Sequence, residues 1–224
     1  MKNLTVIIPA YNEERIYLEV ISKALTLAKI NYIIVDDGSD YPINLPCTLR
    51  RNKNKGYGSA IKYGIRHARS QYIAIIDADG QYDVLDLIDL WQSMDDEDML
   101  IGKRINHDGG IKRSVCRFLM KTVVSLIIGR YIPDVNSGLR IFKKHIAKCY
   151  SSILCDEFSY TASITTAMVV DKYKVRWANI GFYPRQGSPS TVSMLRHGLI
   201  TLYQIIHIVL GLRTRKIRKW LREK

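Results

Sequence analysis

Four short apolar runs recur in the first half of the chain, and polar turns follow the first three of them. Runs of this length, rich in isoleucine and valine, are typical of strands that are buried on both faces of a parallel sheet. The runs predicted as strands are Leu4 to Ile8, Tyr32 to Val35, Tyr72 to Ile76 and Met99 to Ile101.

Between these runs, apolar residues recur with the spacing of one helix face. This holds for Glu13 to Ala28 and for Gly58 to Ala68. Strands that alternate with helices predict right-handed βαβ units. The expected fold is therefore α/β, with a mostly parallel, Rossmann-like sheet flanked by helices.

The regular alternation weakens after residue 102, where the elements become harder to assign. A Gly/Ser/Pro-rich segment at 181–193 is long enough to act as a lid over a site. The other predicted elements are a basic loop at Lys103 to Arg113, a helix near 114–128, a turn at 133–138, a helix at Tyr160 to Tyr173 and a strand at Val175 to Ile180.

The C-terminal segment combines an apolar stretch, Leu199 to Leu212, with a tail that has seven basic residues in its last twelve. This composition fits an amphipathic helix on a membrane surface, and it equally fits a core-packed helix with a solvated basic end. No apolar run is long enough to predict a transmembrane helix. We expect a catalytic domain over residues 1–193 and this helix with its tail over 194–224.

Charge is distributed unevenly along the chain. Residues 1–100 carry 11 basic and 15 acidic side chains, whereas residues 101–224 carry 23 basic and 6 acidic ones. Such a basic half indicates a site for phosphates, nucleic acid or anionic lipid. The cysteines lack CxxC spacing and the first residues lack a secretion-signal pattern, which predicts a reduced, cytosolic protein.

Polar clusters follow the first three predicted strands. Residues 12–14 follow the first, 36–39 the second, and Asp77 and Asp79 the third. The carboxyl ends of parallel strands meet at one edge of a sheet, so these clusters predict one composite site. Paired carboxylates suit Mg²⁺ or Mn²⁺, above all when a diphosphate completes the coordination shell. Alone, the Asp-x-Asp pattern would also fit a solvated acidic turn.

Several motifs together are more specific than any one of them. These motifs are IIPAYNE at 7–13, VDDGS at 35–39, NKGYG at 54–58, DADGQ at 77–81, GKR at 102–104, DVNSGLR at 134–140, FSYT at 158–161 and RQGSPS at 185–190. In order and spacing they resemble the family-2 glycosyltransferases with the GT-A fold, above all dolichol-phosphate mannose synthases and bacterial polyprenyl-phosphate sugar transferases.

The resemblance implies a role for each matching residue of the donor site. Asp79, Arg104 and Arg185 would be catalytic, with the two arginines supplying positive charge to the phosphates and Ser190 beside them. Asp77, Asp79 and Gln81 would hold Mg²⁺ or Mn²⁺. Within the nucleotide sugar, the base and ribose would be bound by Pro9, Tyr11, Glu13, Val35 and Asp37. The diphosphate and sugar would be bound by Asp77, Ala78, Asp79, Gln81, Arg104, Arg185 and Ser190.

The acceptor side is expected to use the basic second half. The residues assigned to it are Asp134, Ser137, Arg113, Arg117 and Arg140. Asp134 would also fit a turn former, because aspartate after proline is common in turns.

The implied reaction is inverting transfer of a hexose, mannose or glucose, from a GDP- or UDP-sugar to a polyprenyl or dolichyl phosphate. A phosphate acceptor is already anionic and needs positioning rather than a general base. We expect peripheral attachment at the cytoplasmic face of a membrane and no nucleic-acid partner.

Two other functions stay open. A saccharide hydroxyl as acceptor would need a carboxylate base. Asp156 and Glu157 are the candidates for it, although acidic residues before a helix are also ordinary caps. A non-catalytic module that binds membranes or nucleic acid is the other, but it would not need paired carboxylates at a strand end.

Overall fold

A seven-stranded sheet forms the centre of the molecule. The computed structural model describes residues 3–105, 110–183 and 194–222. The strand order is β3-β2-β1-β4-β6-β5-β7, and every neighbouring pair is parallel except the two pairs that β6 makes. The strands are β1 (Leu4–Ala10), β2 (Asn31–Asp36), β3 (Thr48–Arg50), β4 (Tyr72–Ile75), β5 (Met99–Arg104), β6 (Arg140–Lys143) and β7 (Val175–Ile180).

Helices cover both faces of this sheet. A core that includes residues of α1 and α3 lies on one face, and a core that includes residues of α2, α4, α6 and α7 lies on the other. The helices are α1 (Arg15–Leu27), α2 (Tyr57–His67), α3 (Val84–Ser93), α4 (Gly110–Ile128), α5 (Lys144–Tyr150), α6 (Tyr160–Val170) and α7 (Met194–Arg222). The predicted α/β fold with a C-terminal helix is confirmed.

The sheet contains elements that the apolar pattern did not predict. The short strand β3 extends the sheet beyond β2, and β6 lies antiparallel between β4 and β5. Helices α3 and α5 were also not predicted. The predicted basic loop at Lys103 to Arg113 is wrong at both ends, since Lys103 and Arg104 belong to β5 and α4 begins at Gly110.

The reversed direction of β6 matters for the site. Because β6 is antiparallel to both of its neighbours, its first residue lies at the same edge as the carboxyl ends of β4 and β5. The segment before it, residues 134–139, therefore reaches the edge of the sheet at which the acidic clusters follow their strands. The fold thus brings the second half of the chain to the predicted site.

Helix α7 packs into the core along one side. Its residues Ile205, Ile208, Val209 and Leu212 are buried with α4 and α6, and Thr201 shares a hydrogen bond of 2.8 Å with Ser159. Within the part of the chain that the structure describes, no helix has the length and apolar content needed to cross a bilayer. The division at residue 193 remains a prediction.

Candidate functional site

Asp77 lies just beyond β4, where side chains from several elements converge on it. Its Oδ1 accepts a hydrogen bond of 2.6 Å from the hydroxyl of Tyr57, the first residue of α2. Burial, followed by the negative charge of Asp79, raises the pKa of Asp77 to about 7. A carboxylate that is both desolvated and next to another one is stabilised by a cation.

The oxygen ligands available here fit a hard divalent cation. Asp77 and Asp79 supply carboxylate oxygens, and Oδ1 of Asp79 accepts the backbone N–H of Gln81 at 3.2 Å. No group of three acidic, histidine or cysteine ligands occurs among the described residues. Two carboxylates leave coordination positions for water and for a diphosphate, which is how Mg²⁺ is commonly held. Asp77 and Asp79 are therefore the residues that would hold the ion.

Gln81 connects this site to the segment that follows β7. Its side-chain Nε2 donates to the carbonyl of Tyr183 at 3.2 Å, and its own carbonyl accepts from the N–H of Tyr183 at 3.0 Å. The side chain is thus positioned at the site by its amide nitrogen, and its amide oxygen is the group that could serve as a ligand.

Arg104 and Asp134 form a partly buried ion pair at the same edge. Nε and Nη2 of Arg104 each donate to a different carboxylate oxygen of Asp134, both at 2.8 Å. The guanidinium also lies 5.1 Å from the ring centre of Phe182, and Nε1 of Trp177 donates to the Asp134 carbonyl at 3.0 Å. A paired guanidinium in a poorly hydrated position keeps its charge and its direction.

Gly138 packs directly against Asp77. A Cβ at this position would lie 2.5 Å from Cγ of Asp77 and nearer still to Oδ2. Its N–H donates to the hydroxyl of Tyr82 at 2.8 Å, and burial raises the pKa of Tyr82 to about 12. Only a residue without a side chain fits between this backbone and the carboxylate.

Arg140 was expected to face the acceptor, but its position does not allow this in the structure. The side chain is fully buried at the start of β6. Its guanidinium donates to the carbonyl of Ser137, to the carbonyl of Thr161 at 2.6 Å and to the hydroxyl of Thr165 at 2.8 Å. Arg140 therefore holds the backbone next to Gly138 instead of meeting solvent. Ser137 is also fully buried.

Asp37 organises the side of the site expected to bind the base and ribose. Its carboxylate pairs with Arg51 at 2.8 Å and accepts the N–H groups of Lys55 and Gly56 at 3.0 and 2.9 Å. These bonds fix the turn that begins α2 and so place Tyr57 beside Asp77. Gly56 adopts a φ of 94°, which favours glycine at this turn.

The other residues expected on this side differ in exposure. Tyr11 is exposed and Glu13 is half-buried near the end of β1, whereas Pro9 is buried. Ala78, expected on the diphosphate side between the two carboxylates, is buried as well. Val35 is fully buried in the core of the sheet, so its side chain cannot contact a nucleotide in this structure.

Some expected site residues lie outside the described part of the chain. Arg185 and Ser190 fall within residues 184–193, as does most of the predicted lid. Arg113 and Arg117 belong to α4, in a stretch whose side chains are not described. Their assigned roles stay predictions.

Asp156 and Glu157, the candidate base, lie at the start of α6 and are exposed. Asp156 pairs with Lys62 at 2.9 Å, and its carbonyl accepts the N–H of Ser59 at 2.7 Å. The carbonyl of Glu157 accepts the N–H of Tyr160 at 3.2 Å. The contacts of Asp156 join α2 to the segment before α6, and that of Glu157 lies at the start of α6. Both favour the structural interpretation of this acidic pair.

Three residues close to Asp77 had no role in the sequence analysis: Tyr57, Tyr82 and Gly138. Each lies inside or next to a motif that was recognised, since Tyr57 is within NKGYG, Tyr82 follows DADGQ and Gly138 is within DVNSGLR. The motifs could therefore have pointed to these three residues as part of the site. Their contacts with Asp77 and with one another depend on the fold.

We expect the Tyr57→Phe variant to weaken Mn²⁺ binding by about 10- to 100-fold, because the bond that orients Asp77 is lost while the ring stays packed 5.7 Å from Phe158. Titration of Mn²⁺ followed by its free electron paramagnetic resonance signal would measure this. Tyr41→Phe, at an exposed tyrosine, is the control. Equal affinity in the two variants would show that Tyr57 does not position Asp77.

Solved structures with a similar fold include glucosyl-3-phosphoglycerate synthase from Mycobacterium tuberculosis in complex with Mn²⁺ and UDP-glucose. The TM-score is 0.70 with 14% sequence identity, over 92% of this chain and 79% of that chain. A second structure of that protein, with Mg²⁺ and UDP, gives a TM-score of 0.67 at 16% identity, over 94% of this chain and 79% of that one. At this identity the likeness concerns the fold alone, and it is that of a GT-A glycosyltransferase.

Similar sequences carry names of lipid-phosphate sugar transferases. UDP-N-acetylglucosamine–dolichyl-phosphate N-acetylglucosaminyltransferase of Methanococcus voltae is 28% identical, over 94% of this chain and 97% of that protein. Dolichyl-phosphate beta-glucosyltransferase of Saccharomyces cerevisiae is 24% identical, over 85% and 70%. Undecaprenyl-phosphate 4-deoxy-4-formamido-L-arabinose transferase of Photorhabdus laumondii is 25% identical, over 71% and 54%.

The model of the family described as glycosyl transferase family 2 matches residues 5–150. This match runs from β1 through α5 and includes Asp77, Asp79, Arg104, Asp134 and Gly138. The chain therefore belongs to glycosyltransferase family 2.

Proposed function

We propose that this glycosyltransferase moves a hexose, glucose or mannose, from a nucleotide diphosphate sugar to a polyprenyl or dolichyl phosphate, with inversion at the anomeric carbon. The observation that carries the proposal is the pairing of Asp134 with Arg104 beside Asp77. The guanidinium of Arg104 supplies a fixed positive charge at the site. Asp134 is poorly placed to take a proton, because both of its oxygens accept hydrogen bonds from Arg104.

The choice of acceptor follows from that arrangement. A saccharide hydroxyl must lose a proton as it attacks, so a carboxylate with a free oxygen is expected next to it. Both oxygens of Asp134 are bound by one guanidinium, and Asp156 pairs with Lys62. A lipid phosphate needs no such base, because its oxygen is already anionic. The names of the three similar proteins, all lipid-phosphate transferases, support the same choice.

The reaction is a single displacement. An oxygen of the acceptor phosphate forms a bond to the anomeric carbon as the bond from that carbon to the donor diphosphate breaks, and the nucleoside diphosphate leaves with the electron pair. Mg²⁺ or Mn²⁺, held by Asp77 and Asp79 with Gln81 nearby, would offset the charge of the departing diphosphate. Arg104, fixed by Asp134, adds positive charge at the same edge.

A UDP-sugar is the donor that the comparisons favour, and a GDP-sugar is the alternative. The similar protein from Methanococcus voltae is named for UDP-N-acetylglucosamine, and the Mycobacterium tuberculosis structure contains UDP-glucose. Tyr11 and Glu13, near the end of β1, and the turn held by Asp37 are the groups we assign to the nucleoside. The enzyme would work at the cytoplasmic face of a membrane, where such donors are made and polyprenyl phosphates are embedded.

The proposal is tested by incubating the purified protein with Mn²⁺ or Mg²⁺, radiolabelled UDP-glucose, UDP-N-acetylglucosamine or GDP-mannose, and a short-chain polyprenyl phosphate. We expect label to enter the organic phase with at least one donor and to depend on the metal. Label found only on added saccharide acceptors would assign the enzyme to saccharide synthesis instead. An absence of transfer to either class of acceptor would favour the non-catalytic alternative.

A further inference from the structure

Helix α7 is apolar on two opposite sides. Ile205, Ile208 and Leu212 face the core, while Leu199, Tyr203, Ile206 and Leu210 are exposed with the spacing i, i+4, i+7 and i+11. That spacing places the exposed set along one stripe of a helix. A helix that only covers a core would carry polar residues on this outer side. Within the part of the chain that the structure describes, this outer stripe of α7 is therefore exposed apolar surface.

Helix α4, which packs against α7, shows the same feature. Val124 is fully buried, whereas Phe118, Leu119 and Leu126 are exposed, with Leu126 at 76%. Just beyond α4, Tyr131 is also exposed, and the ammonium of Lys121 lies 5.2 Å from its ring centre and 5.7 Å from that of Phe118. Aromatic rings grouped with a lysine suit a boundary between lipid and water.

The charge of these two helices distinguishes between two possible partners of the exposed surface, a second copy of the chain and a lipid bilayer. The 48 residues of α4 and α7 include eleven lysines and arginines and no acidic residue. A second copy of the same face would bring like charges together, which disfavours a symmetric dimer through it. An anionic lipid surface would instead satisfy the apolar stripes and the positive charge at the same time.

We propose that the outer sides of α4 and α7 form one membrane-contact surface that lies on a bilayer containing anionic phospholipid. The surface would bring the site to an acceptor embedded in lipid, so its biological purpose rests on the proposed function. It differs from a tail anchor because the contact is made by folded helices that are also part of the core.

Flotation with vesicles of phosphatidylcholine, with or without phosphatidylglycerol, tests the surface without donor or acceptor. We expect binding to the anionic vesicles, and we expect the Leu126→Glu/Leu210→Glu variant to bind at least about tenfold more weakly. Leu27→Glu is the matched control for Leu126→Glu, because Leu27 is also 76% exposed but lies on α1, across the sheet. Vesicle binding by the double variant equal to that of the control would overturn the proposal.

Two further measurements separate this proposal from its alternatives. If light scattering shows a dimer that the double variant dissociates, while the unaltered protein binds neither kind of vesicle, the face is a protein interface and the proposal is wrong. Transfer to a water-soluble short-chain acceptor should survive in the double variant, whereas transfer to a vesicle-embedded long-chain acceptor should fall at least about tenfold. If the unaltered protein transfers sugar to neither acceptor, the proposed function fails, yet vesicle flotation still tests the surface independently.

Discussion

Sugar transfer by the Asp79→Ala variant is expected to fall by at least about a thousandfold, with the fold intact. We propose that Asp77 and Asp79 hold a divalent ion together. Asp77 alone would be a weaker ligand, because its Oδ1 already accepts the Tyr57 hydroxyl. Without Asp79 the charge on the departing diphosphate would be poorly offset. Initial rates of label transfer at saturating Mn²⁺ measure the loss.

The Asp79→Ala variant should lose activity without losing thermal stability. In the metal-free protein, Asp79 acts on Asp77 as a neighbouring negative charge in a poorly hydrated position. Its removal relieves this repulsion, so the melting temperature without metal should stay the same or rise. Added Mn²⁺ should raise the melting temperature of the unaltered protein and not that of the variant.

Asp89→Ala is the matched control, because Asp89 is an exposed aspartate on α3, away from the strand end. It should keep both the transfer rate and the Mn²⁺-dependent shift in melting temperature. A variant at Asp79 that retains turnover with Mn²⁺ would remove this carboxylate from the metal site. An Asp79→Ala protein that is unfolded without metal would show that the side chain has a structural role instead.

The strands that the sequence could predict are those with a strong local signal. β1 and β4 are continuous apolar runs that are buried throughout, so composition alone indicates them. Strand β3 has three residues and none is fully buried, whereas β6 has charged residues at both ends of its four. Both owe their strand conformation to pairing with neighbours that are distant in sequence, and a local pattern cannot contain that information.

Site residues could be predicted where the signal lies in neighbouring residues of the sequence, and not where it depends on contacts between distant segments. Asp77 and Asp79 could be placed at a strand end from the residues around them, and the motifs located Gly138 and Tyr57. The pairing of Arg104 with Asp134 could not be predicted in this way, because it requires β6 to run antiparallel between β4 and β5. The burial of Arg140 follows from the same placement, which is why an arginine in a basic segment was mistaken for a surface cation.

Gly138→Ala is expected to reduce sugar transfer by about a hundredfold while the protein still folds. A Cβ at this position overlaps the carboxylate of Asp77, so either Asp77 or the backbone before β6 must move. Asp77 is fixed by Tyr57, and Gly138 is fixed through its N–H to Tyr82 and through Arg140, which holds Ser137. A displacement of about 1 Å at a reacting centre is sufficient for a loss of this size.

The cost in stability should be smaller than the cost in rate, at about 1–3 kcal/mol of unfolding free energy, as for other overpacked sites. Urea denaturation followed by tryptophan fluorescence would measure it. Gly211→Ala is the control, because a Cβ there would meet nothing within 4 Å and Gly211 lies inside α7, where alanine favours the helix by about 1 kcal/mol. The control should therefore be slightly stabilised and fully active. If Gly138→Ala instead transferred sugar at the control's rate with unchanged stability, the close packing of this backbone on Asp77 would not be part of the active conformation.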